Sequence, residues 1–316
     1  MYCITLESDD PFFNLAIEEV LLKNSSEEYF ILGINKPSLI IGKHQSAHRE
    51  ANTKFVTENN IPVIRRISGG GTVFQDKGNL NFTLIRNSEV GHQVDFRKYT
   101  LTVIQFLSSI GINAILGVKN DLQVDGFKIS GNAEHVHRSR VLHHGTLLFS
   151  VSLEMLTNSI RNNKSCYLSR AVESNPASVM NLNSKLVRFS DITQFRNEMM
   201  NYFLKHLADA GIYNLSSSET EEVELLANTK YKTWEWNWAY GPEYTYNNRF
   251  SLDGNQAACR LSVKDGLIVR CFIETNFRKS PISEKLIGCR HMVDDLLKIL
   301  MEEDFIQSKE DIYNFF

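Results

Sequence analysis

The chain has 316 residues, of which 42% are hydrophobic and 22% are charged, and its formal net charge at pH 7 is −3. This length predicts a sizeable core and two domains, and the small negative charge argues against a surface that binds nucleic acid. No apolar run approaches the ~18–20 residues needed to span a membrane, and the five cysteines, without a Cys-x-x-Cys pair, predict a reduced, cytoplasmic compartment.

The chain begins with the signals of a helix. Asp10 is typical of an N-cap and Pro11 of a first helical residue, and the apolar spacing that follows predicts an amphipathic helix over residues 11–23. Downstream, the patterns predict strands over residues 29–34 and 38–41 and a short helix over residues 52–59.

Three consecutive glycines at residues 69–71 separate two β-prone runs at residues 61–67 and 80–85. The pattern predicts a hairpin whose turn lacks Cβ atoms, so that backbone N–H groups can surround an anion or a flat ligand. Arg65 and Arg66 precede the glycines and bring positive charge to the same place. A plain hairpin turn with both arginines in solvent is the alternative.

A second informative stretch covers residues 120–150. An Asp-Gly pair at residues 125–126 is a strong hairpin signal. The hairpin makes Lys128 the second residue of a strand, and the small residues 130–131 follow as another turn. A lone lysine is usually a solvated charge, but a lysine between two such turns, in a chain with a glycine loop, is a candidate functional group.

The rest of the chain is predicted to alternate between helices and strands. Helices are predicted over residues 99–110, 152–160, 192–207, 283–289 and 293–302, with a capping box at Ser218 and Glu221. The tryptophan-rich run at residues 234–238 alternates as an edge strand does, and further strands are predicted over residues 250–252, 256–263 and 267–275. Residues 161–182 are a long irregular connection, of a kind that often binds ligands.

In order and spacing, several segments resemble the lipoate–protein ligase A family. They are Asn14 to Glu19, Gly42-Lys-His-Gln45, Arg65-Arg66-Ile-Ser-Gly-Gly-Gly-Thr-Val-Phe, Gly78-Asn-Leu-Asn-Phe-Thr, Asn120-Asp121, Asp125-Gly-Phe-Lys-Ile-Ser-Gly-Asn-Ala and His143-His-Gly-Thr-Leu-Leu. The resemblance covers nearly the whole chain and weakens after Tyr240. It implies an α+β fold, with a mixed β-sheet catalytic domain of the biotin/lipoate ligase type over residues 1–240 and a small α+β accessory domain over residues 246–316.

The resemblance also implies an activity. Lipoate would be activated by ATP to lipoyl-AMP with release of pyrophosphate, then passed to a lysine of an acceptor protein. The acceptors implied are lipoyl domains of 2-oxoacid dehydrogenase E2 subunits and the glycine-cleavage H protein. Because the reacting carboxylate and α-phosphate are both anionic, the site needs a fixed cation where they meet, and Lys128 is the candidate catalytic residue.

Further site residues are implied by position in the matching segments. Those for ATP and lipoyl-AMP are Arg66, Gly70, Gly71, Thr72, Val73, Phe74, Asn79, Asn81, Asn120, Asp121 and Lys128. Those for the lipoate pocket are Gly42, Gln45, Ser68, Gly69, Ser130, Gly131, His144 and Gly145. Asp121 is the candidate carboxylate for Mg²⁺, which in such sites takes few protein ligands besides phosphates.

Two departures and three alternatives stay open. Gln75 stands where the family usually has histidine, and Asn132 where many members have serine. An ATP-independent octanoyl or lipoyl acyltransferase would use a cysteine thioester, for which Cys166 is the candidate.

A biotin ligase would need a Gly-Arg-Gly-Arg-type loop, which is absent, and a non-catalytic lipoyl-domain-binding protein would have no need of Lys128. Histidines at residues 135–144 suggest zinc, but no partner ligands have matching spacing.

Overall fold

The computed structural model describes residues 1–89, 91 and 94–316, which form four β-sheets with flanking helices, an α+β architecture. The strands are β1 (Tyr2–Thr5), β2 (Tyr29–Ile34), β3 (Ser38–Ile41), β4 (Val63–Arg65), β5 (Val73–Gln75), β6 (Asn79–Asn87), β7 (Ile115–Leu116), β8 (Leu122–Val124), β9 (Phe127–Ser130), β10 (Asn132–His137), β11 (Arg140–Leu148), β12 (Tyr167–Ser169), β13 (Gly211–Ile212), β14 (Tyr244–Leu252), β15 (Asn255–Lys264), β16 (Leu267–Thr275) and β17 (Arg278–Lys279).

The α-helices are α1 (Pro11–Asn24), α2 (Ala47–Glu50), α3 (Thr53–Glu58), α4 (Phe96–Ser109), α5 (Leu153–Ser159), α6 (Ile192–His206), α7 (Ser217–Leu226), α8 (Ile282–Lys285) and α9 (Val293–Glu302). Two π-helical segments, Ala227–Tyr231 and Glu235–Ala239, follow α7, and 3₁₀ turns lie at Leu182–Ser184 and Lys309–Phe315. Within the described ranges, no helix is long and apolar enough to cross a membrane.

The sheets divide the chain into a large N-terminal part and a smaller C-terminal part. A six-stranded sheet in the order β10-β11-β6-β2-β1-β13 is accompanied by two three-stranded sheets, β4-β3-β5 and β7-β8-β9. The C-terminal sheet has the order β12-β14-β15-β16-β17 and its own apolar core, which includes α8 and α9. Because β12 comes from the connection at residues 161–182, that connection joins the two parts. The division between residues 240 and 246 stays a prediction.

Most elements with a strong local signal were predicted correctly. Helix α1 begins as expected, with the Asp10 carboxylate accepting a hydrogen bond from Phe12 N at 3.2 Å. Strands β2 and β3 have the predicted bounds, and Asn52 caps α3. The turn between β8 and β9 has positive φ at Asp125 and Gly126, as the Asp-Gly signal predicted. These outcomes follow from caps, turn residues and apolar periodicity, which act within a few residues of the chain.

The hairpin predicted across the glycine loop is wrong. Strand β4 pairs parallel with β3, β5 pairs antiparallel with the other edge of β3, and β6 lies in the six-stranded sheet. The loop therefore connects two strands on either side of a third, so its two ends are held apart and its glycines span the gap. The alternation of apolar residues could not reveal this, because it does not say which partner a strand chooses.

Three other local predictions need correction. The run at residues 234–238 is helical and does not form an edge strand. The capping box of α7 uses Ser216 and Glu219 rather than the pair two residues later. The helix expected over residues 283–289 is the shorter α8. For the tryptophans the physical reason is tertiary, since the helical turn lets Trp236 and Asn237 reach Arg65.

Arg65 joins the base of the glycine loop to this helical segment. Its guanidinium is fully buried and donates to the carbonyl oxygens of Gly42 (3.1 Å), Lys43 (3.0 Å) and Gln45 (2.6 Å) through Nη1. Nε and Nη2 donate to the carbonyl oxygens of Trp236 and Asn237, both at 3.0 Å. Burial lowers the pKa of Arg65 to about 10, so the side chain stays cationic at neutral pH. The arginine expected to face a ligand or solvent is therefore a structural clamp.

We predict that Arg65→Ala lowers the free energy of unfolding by at least about 3 kcal/mol, because several buried carbonyl groups lose their donor together. Chemical denaturation of the variant against the exposed-site control Arg270→Ala measures the effect. A loss no larger than that of the control would contradict the role of Arg65 as a clamp.

Candidate active site

A cavity of about 220 Å³ lies between the six-stranded sheet and the β4-β3-β5 sheet, with α1 at its side. Its floor consists of cross-strand rows, of which one places Ala133, His144, Thr83 and Ile31 side by side. The opposite wall is made by Ile40, Val73, Gln75 and the glycine loop, and the segment Ser174–Ala177 closes one edge. Candidate residues from distant parts of the sequence therefore meet in a single place.

Arg66 shapes the glycine loop from inside. Its guanidinium is buried and donates to the carbonyl oxygens of Ile40 (3.3 Å), Gly69 (2.5 Å) and Gly71 (2.8 Å) and to Ser68 Oγ (2.9 Å). Burial lowers the pKa of Arg66 to about 10, which leaves it positively charged at neutral pH. With the loop carbonyls turned to the guanidinium, the loop and this cation together border the cavity.

Glycine is required at two points of this arrangement. Gly70 has a φ of +84°, which L side chains rarely adopt. Gly42 lies under the loop, and a Cβ there would stand 2.1 Å from the carbonyl oxygen of Gly70. The glycine loop and the segment after β3 are thus packed backbone to backbone.

A directed chain of hydrogen bonds links Arg66 to α1. Ser68 Oγ lies 2.7 Å from His144 Nε2, and His144 Nδ1 lies 2.8 Å from a carboxylate oxygen of Glu18. Thr83 donates to the other oxygen of Glu18 at 2.5 Å. Because Nδ1 faces a carboxylate it carries the proton, so Nε2 accepts from Ser68, whose oxygen in turn accepts from Arg66. The chain fixes His144 in one tautomer at the cavity wall.

Lys128 reaches the cavity from β9, and among the described residues its ammonium has no hydrogen-bond or ion-pair partner. Its nitrogen lies 3.4 Å from the position that a Cβ on Gly131 would take, so glycine makes room for it. Burial is the largest cause that lowers the pKa of Lys128, and the cations of Arg66 and Lys119 add to the effect while Asp121 opposes it. The result is a partly buried cation that interacts with Asp121 only through space and makes no ion pair with the described residues.

The backbone N–H and C=O of Lys128 are both hydrogen-bonded, although its ammonium is not. Lys128 N donates to Ser178 O at 2.9 Å, and Met180 N donates to Lys128 O at 3.1 Å. These bonds come from the connection at residues 161–182, which lines the edge of β9. Strand pairing therefore fixes the position of the lysine.

Asp121 presents an unused acceptor. Gln123 donates to its Oδ2 at 2.8 Å, while the buried Oδ1 has no hydrogen-bond partner. Gly117 leaves space for these side chains, since a Cβ there would stand 2.5 Å from Asp121 Oδ1. Asp121 lines the cavity, and a carboxylate with an unpartnered oxygen fits a Mg²⁺ ligand, although no cluster of three or more metal-binding side chains occurs in the described ranges.

Carboxamide side chains form a ladder that converges on Gln75. Asn14 donates to Asn35 at 2.6 Å, and Asn35 donates to Gln75 Oε1 at 2.7 Å. From the other side, Asn79 donates to Asn81 at 2.8 Å, and Asn81 lies 3.4 Å from the same Oε1. Gln75 thus accepts from both arms, and its Nε2 has no partner among the described residues.

A covering segment, residues 171–180, crosses the glycine loop. The hydroxyl of Ser174 accepts from Thr72 N at 2.8 Å and from Gln45 Nε2 at 3.1 Å, and donates to Glu50. Arg49 pairs with Glu173 in the same segment. The covering segment is therefore attached to the glycine loop at one end and to the strand of Lys128 at the other.

Eleven of the predicted site residues line the cavity: Arg66, Gly70, Gly71, Thr72, Val73, Asn81, Asp121, Lys128, Gly131, His144 and Gly145. The others support it from behind. Phe74 is in the core, Asn79 bonds Asn81, and the carbonyl of Asn120 accepts from Asn132. Gly42, Gln45, Ser68 and Gly69 belong to the glycine loop or contact it or its supports, and Ser130 donates to Asn132 Oδ1 at 3.2 Å.

The alternative chemistries find less support in this geometry. Cys166 packs against the core of the C-terminal part and does not line the cavity. His143 is buried with its Nδ1 on Glu134 at 2.9 Å, on the far side of β11 from His144. Neither the Cys166 thiol nor the His143 ring is therefore placed to act in the cavity in this arrangement.

Sequence reasoning missed several residues of the site, namely Asn14, Glu18, Asn35, Thr83, Lys119, Thr146 and Ser174. For two of them a signal was present, since Asn14 and Glu18 lie in the α1 segment that matches the family. Lys119 directly precedes the matching Asn120-Asp121 pair. Ser174 lies in a segment without any pattern, and only the tertiary structure reveals its bonds.

A family model and two similar proteins all indicate the same family. The family model described as "Lipoyl protein ligase A/B catalytic domain" matches residues 10–204. The chain is 34% identical to lipoate–protein ligase 1 of Staphylococcus aureus, over 96% of this chain and 94% of that protein. It is also 34% identical to the lipoate-protein ligase LplJ of Bacillus subtilis, over 92% and 91% of the two chains.

Solved structures show the same fold. A lipoate-protein ligase A bound with ATP superposes with a TM-score of 0.63 at 25% identity, over 75% of this chain and 97% of that one. A putative lipoate protein ligase from T. acidophilum with bound lipoic acid gives a TM-score of 0.64 at 25% identity, over 75% and 98%.

We predict that Ser174→Ala detaches the covering segment from the glycine loop at a cost of about 1–3 kcal/mol, because Glu50 and Thr72 N lose a buried partner. The amide of Thr72 should exchange its hydrogen faster in the variant. Ser165→Ala, an exposed serine in the same connection, is the control. Unchanged exchange at Thr72 would show that Ser174 does not hold the loop.

Proposed function

The chain belongs to the lipoyl protein ligase A/B family, and on that premise we propose that it is an ATP-dependent lipoate–protein ligase. In this proposal it activates lipoate to lipoyl-AMP and then transfers the lipoyl group to a protein lysine. The observation that supports it most is Lys128, which lines the same cavity as the glycine loop and Asp121 and whose ammonium has no hydrogen-bond or ion-pair partner among the described residues.

In the first half-reaction, a carboxylate oxygen of lipoate forms a bond to the α-phosphorus of ATP. The bond between that phosphorus and the oxygen bridging to the β-phosphate breaks, and pyrophosphate leaves with its electron pair. Negative charge accumulates where carboxylate and α-phosphate meet. A cation already fixed there stabilises the transition state without reorganisation, and this is the role we assign to Lys128.

In the second half-reaction, the neutral amine of the acceptor lysine attacks the carbonyl carbon of lipoyl-AMP. The carbon–oxygen bond to AMP breaks, an amide forms, and the amine gives up a proton. Lys128 stays beside the phosphate that leaves. We therefore expect Lys128 to matter in both half-reactions.

The two substrates divide the cavity by chemistry. We assign the acyl chain to the apolar lining at Leu15, Ile31 and Ile40, next to His144 and Glu18. We assign the nucleotide to the glycine loop and to the carboxamide ladder, of which Asn35, Gln75 and Asn81 line the cavity and carry amide groups that can hydrogen-bond to a base. The sequence-implied residues that line the cavity keep these two roles in the proposal.

The proposal also includes a ligand for Mg²⁺, the acceptor proteins and the cellular location. Asp121 would hold Mg²⁺, which would neutralise phosphate charge when bound. The acceptors we propose are lipoyl domains of 2-oxoacid dehydrogenase E2 subunits and the glycine-cleavage H protein. A cytoplasmic location is supported by the five free cysteines and by the requirement for ATP.

The first experiment measures pyrophosphate release on mixing the protein with Mg·ATP and lipoate in the absence of an acceptor, with octanoate in a parallel arm. We expect release that depends on lipoate, and lipoyl-AMP that then labels an acceptor lysine. If an acylated carrier protein alone labels the acceptor and no pyrophosphate forms, the protein is a transferase and the proposal fails.

We predict that Lys128→Ala lowers the rate of adenylation by about 10²–10³-fold, the usual effect of removing one preorganised group that stabilises the transition state. The thermal midpoint should not fall, since the ammonium makes no hydrogen bond or ion pair with the described residues. Cys166→Ala is the matched control and should retain full activity. Normal turnover by Lys128→Ala would remove the lysine from the mechanism.

The depressed pKa of Lys128 predicts an alkaline limit to adenylation. Because burial favours the neutral amine, the cation is lost at a lower pH than in an ordinary lysine, whose pKa is about 10.4. Plots of kcat/KM against pH should be flat near neutrality and fall with a midpoint below that value. In Lys128→Arg the side chain is cationic throughout this pH range, so the alkaline fall in kcat/KM should disappear. If the fall persists in this variant, another group titrates.

A further inference from the structure

We propose that Lys119 is a second cation of the site, which binds the β- and γ-phosphates of ATP and the pyrophosphate that leaves. The inference deepens the proposed function and rests on it. Neither the match to the family nor the sequence analysis assigns this residue a role. Four structural observations support it.

The first observation is that Lys119 stands on a well-held turn. It lies between β7 and β8, where Gly117 N donates to Asp121 O at 2.7 Å and Asn120 N donates to Gly117 O at 3.1 Å. Asn120 takes a φ of +60°, and its carbonyl oxygen accepts from Asn132 at 2.8 Å. The turn is thereby tied to the cavity wall, so the backbone of Lys119 has a defined place beside the cavity.

The second observation concerns partners. Lys119 lines the cavity, and its ammonium has no ion pair or hydrogen bond in the described part of the chain. Asp121, two residues away in the same turn, keeps Oδ1 without a partner. The two opposite charges do not pair with each other, although both border the cavity. Such an arrangement leaves the lysine free for phosphate oxygens and the carboxylate free for a cation that phosphate would also bind.

The third observation is the distribution of charge along the cavity. Arg66, Lys119 and Lys128 are its cations, and Glu18 and Asp121 are its carboxylates. Glu18 is already bonded to His144 and Thr83, so the cations predominate at the end where Lys128 lies. A polyphosphate is the class of ligand whose several negative charges such an end would take.

The fourth observation is the difference in exposure between the two lysines. Lys128 is partly buried and Lys119 is exposed, so Lys119 stands nearer the mouth of the cavity. If the α-phosphate lies at Lys128, where it must meet the carboxylate, the β- and γ-phosphates extend toward the mouth. Lys119 is the cation found on that path. Its exposure also suits a product that has to leave before the acceptor lysine enters.

The two half-reactions separate this role from that of Lys128, because lipoyl-AMP contains only the α-phosphate. We expect Lys119→Ala to lower kcat/KM for ATP in adenylation by about 10- to 100-fold, the usual effect of losing a hydrogen bond to a charged group. Inhibition by added pyrophosphate should weaken by a similar factor. Transfer from preformed lipoyl-AMP to an acceptor protein should be unchanged, whereas Lys128→Ala should impair both steps.

Two further variants serve as controls. Lys119→Arg keeps the charge and should restore most of kcat/KM for ATP, while Lys205→Ala removes an exposed lysine outside the cavity and should have no effect. In Lys119→Ala the alkaline limb of adenylation should also move to higher pH, because a positive neighbour of Lys128 has been removed.

The possible results separate the inference from the function on which it rests. If the wild-type protein releases no pyrophosphate with lipoate, the proposed function fails. If it does, but Lys119→Ala keeps its kcat/KM for ATP, the assignment of Lys119 is wrong. If the variant instead slows transfer from lipoyl-AMP as much as adenylation, Lys119 contacts the acceptor protein and not the polyphosphate.

Discussion

The ammonium of Lys128 sets the main constraint on this structure, because a partly buried charge without a directly bonded counterion is unfavourable unless its place is fixed by other bonds. The bonds that fix it are made by the main chain, through Ser178 and Met180, and leave the charge itself available. Gly131 supplies the space. The covering segment that bonds this strand also bonds the glycine loop through Ser174, so the two walls of the site share one support.

The adjacent residues Arg65 and Arg66 have two different structural roles. Side chains of successive residues at the end of a strand point to opposite faces. Arg65 therefore reaches the helical segment at Trp236 and Asn237, and Arg66 reaches the carbonyl groups of the glycine loop. Both guanidiniums are satisfied largely by backbone oxygens, which suits the planar fork of donors that arginine provides. A lysine at either position could not hold as many carbonyl groups at once.

The features predicted correctly depend on residues close together in the sequence, whereas the features missed depend on contacts between residues far apart in the sequence. Caps, turns and periodicity placed α1, β2, β3 and the Lys128 hairpin, and the family motifs identified eleven of the residues that line the cavity. The pairing of β4 and β5 with β3, and the helical turn at residues 235–239, depend on partners far away in sequence. Asn35 and Ser174 were missed for the same reason, because their roles arise only when distant elements pack together.

Gln75 illustrates how a departure from the family pattern can be accommodated by its neighbours. Its carbonyl oxygen is the meeting point of two arms of carboxamides, which end in Asn35 and Asn81. An oxygen with two lone pairs can accept from both arms, whereas a neutral imidazole has a single acceptor nitrogen. Glutamine joins the two arms through its Oε1, and its Nε2 hydrogens keep no partner among the described residues, on a side chain that lines the cavity. Glutamine at this position therefore supplies no ionisable group but keeps the cavity wall polar, and the charged groups that line the cavity are Arg66, Lys119, Lys128, Glu18 and Asp121.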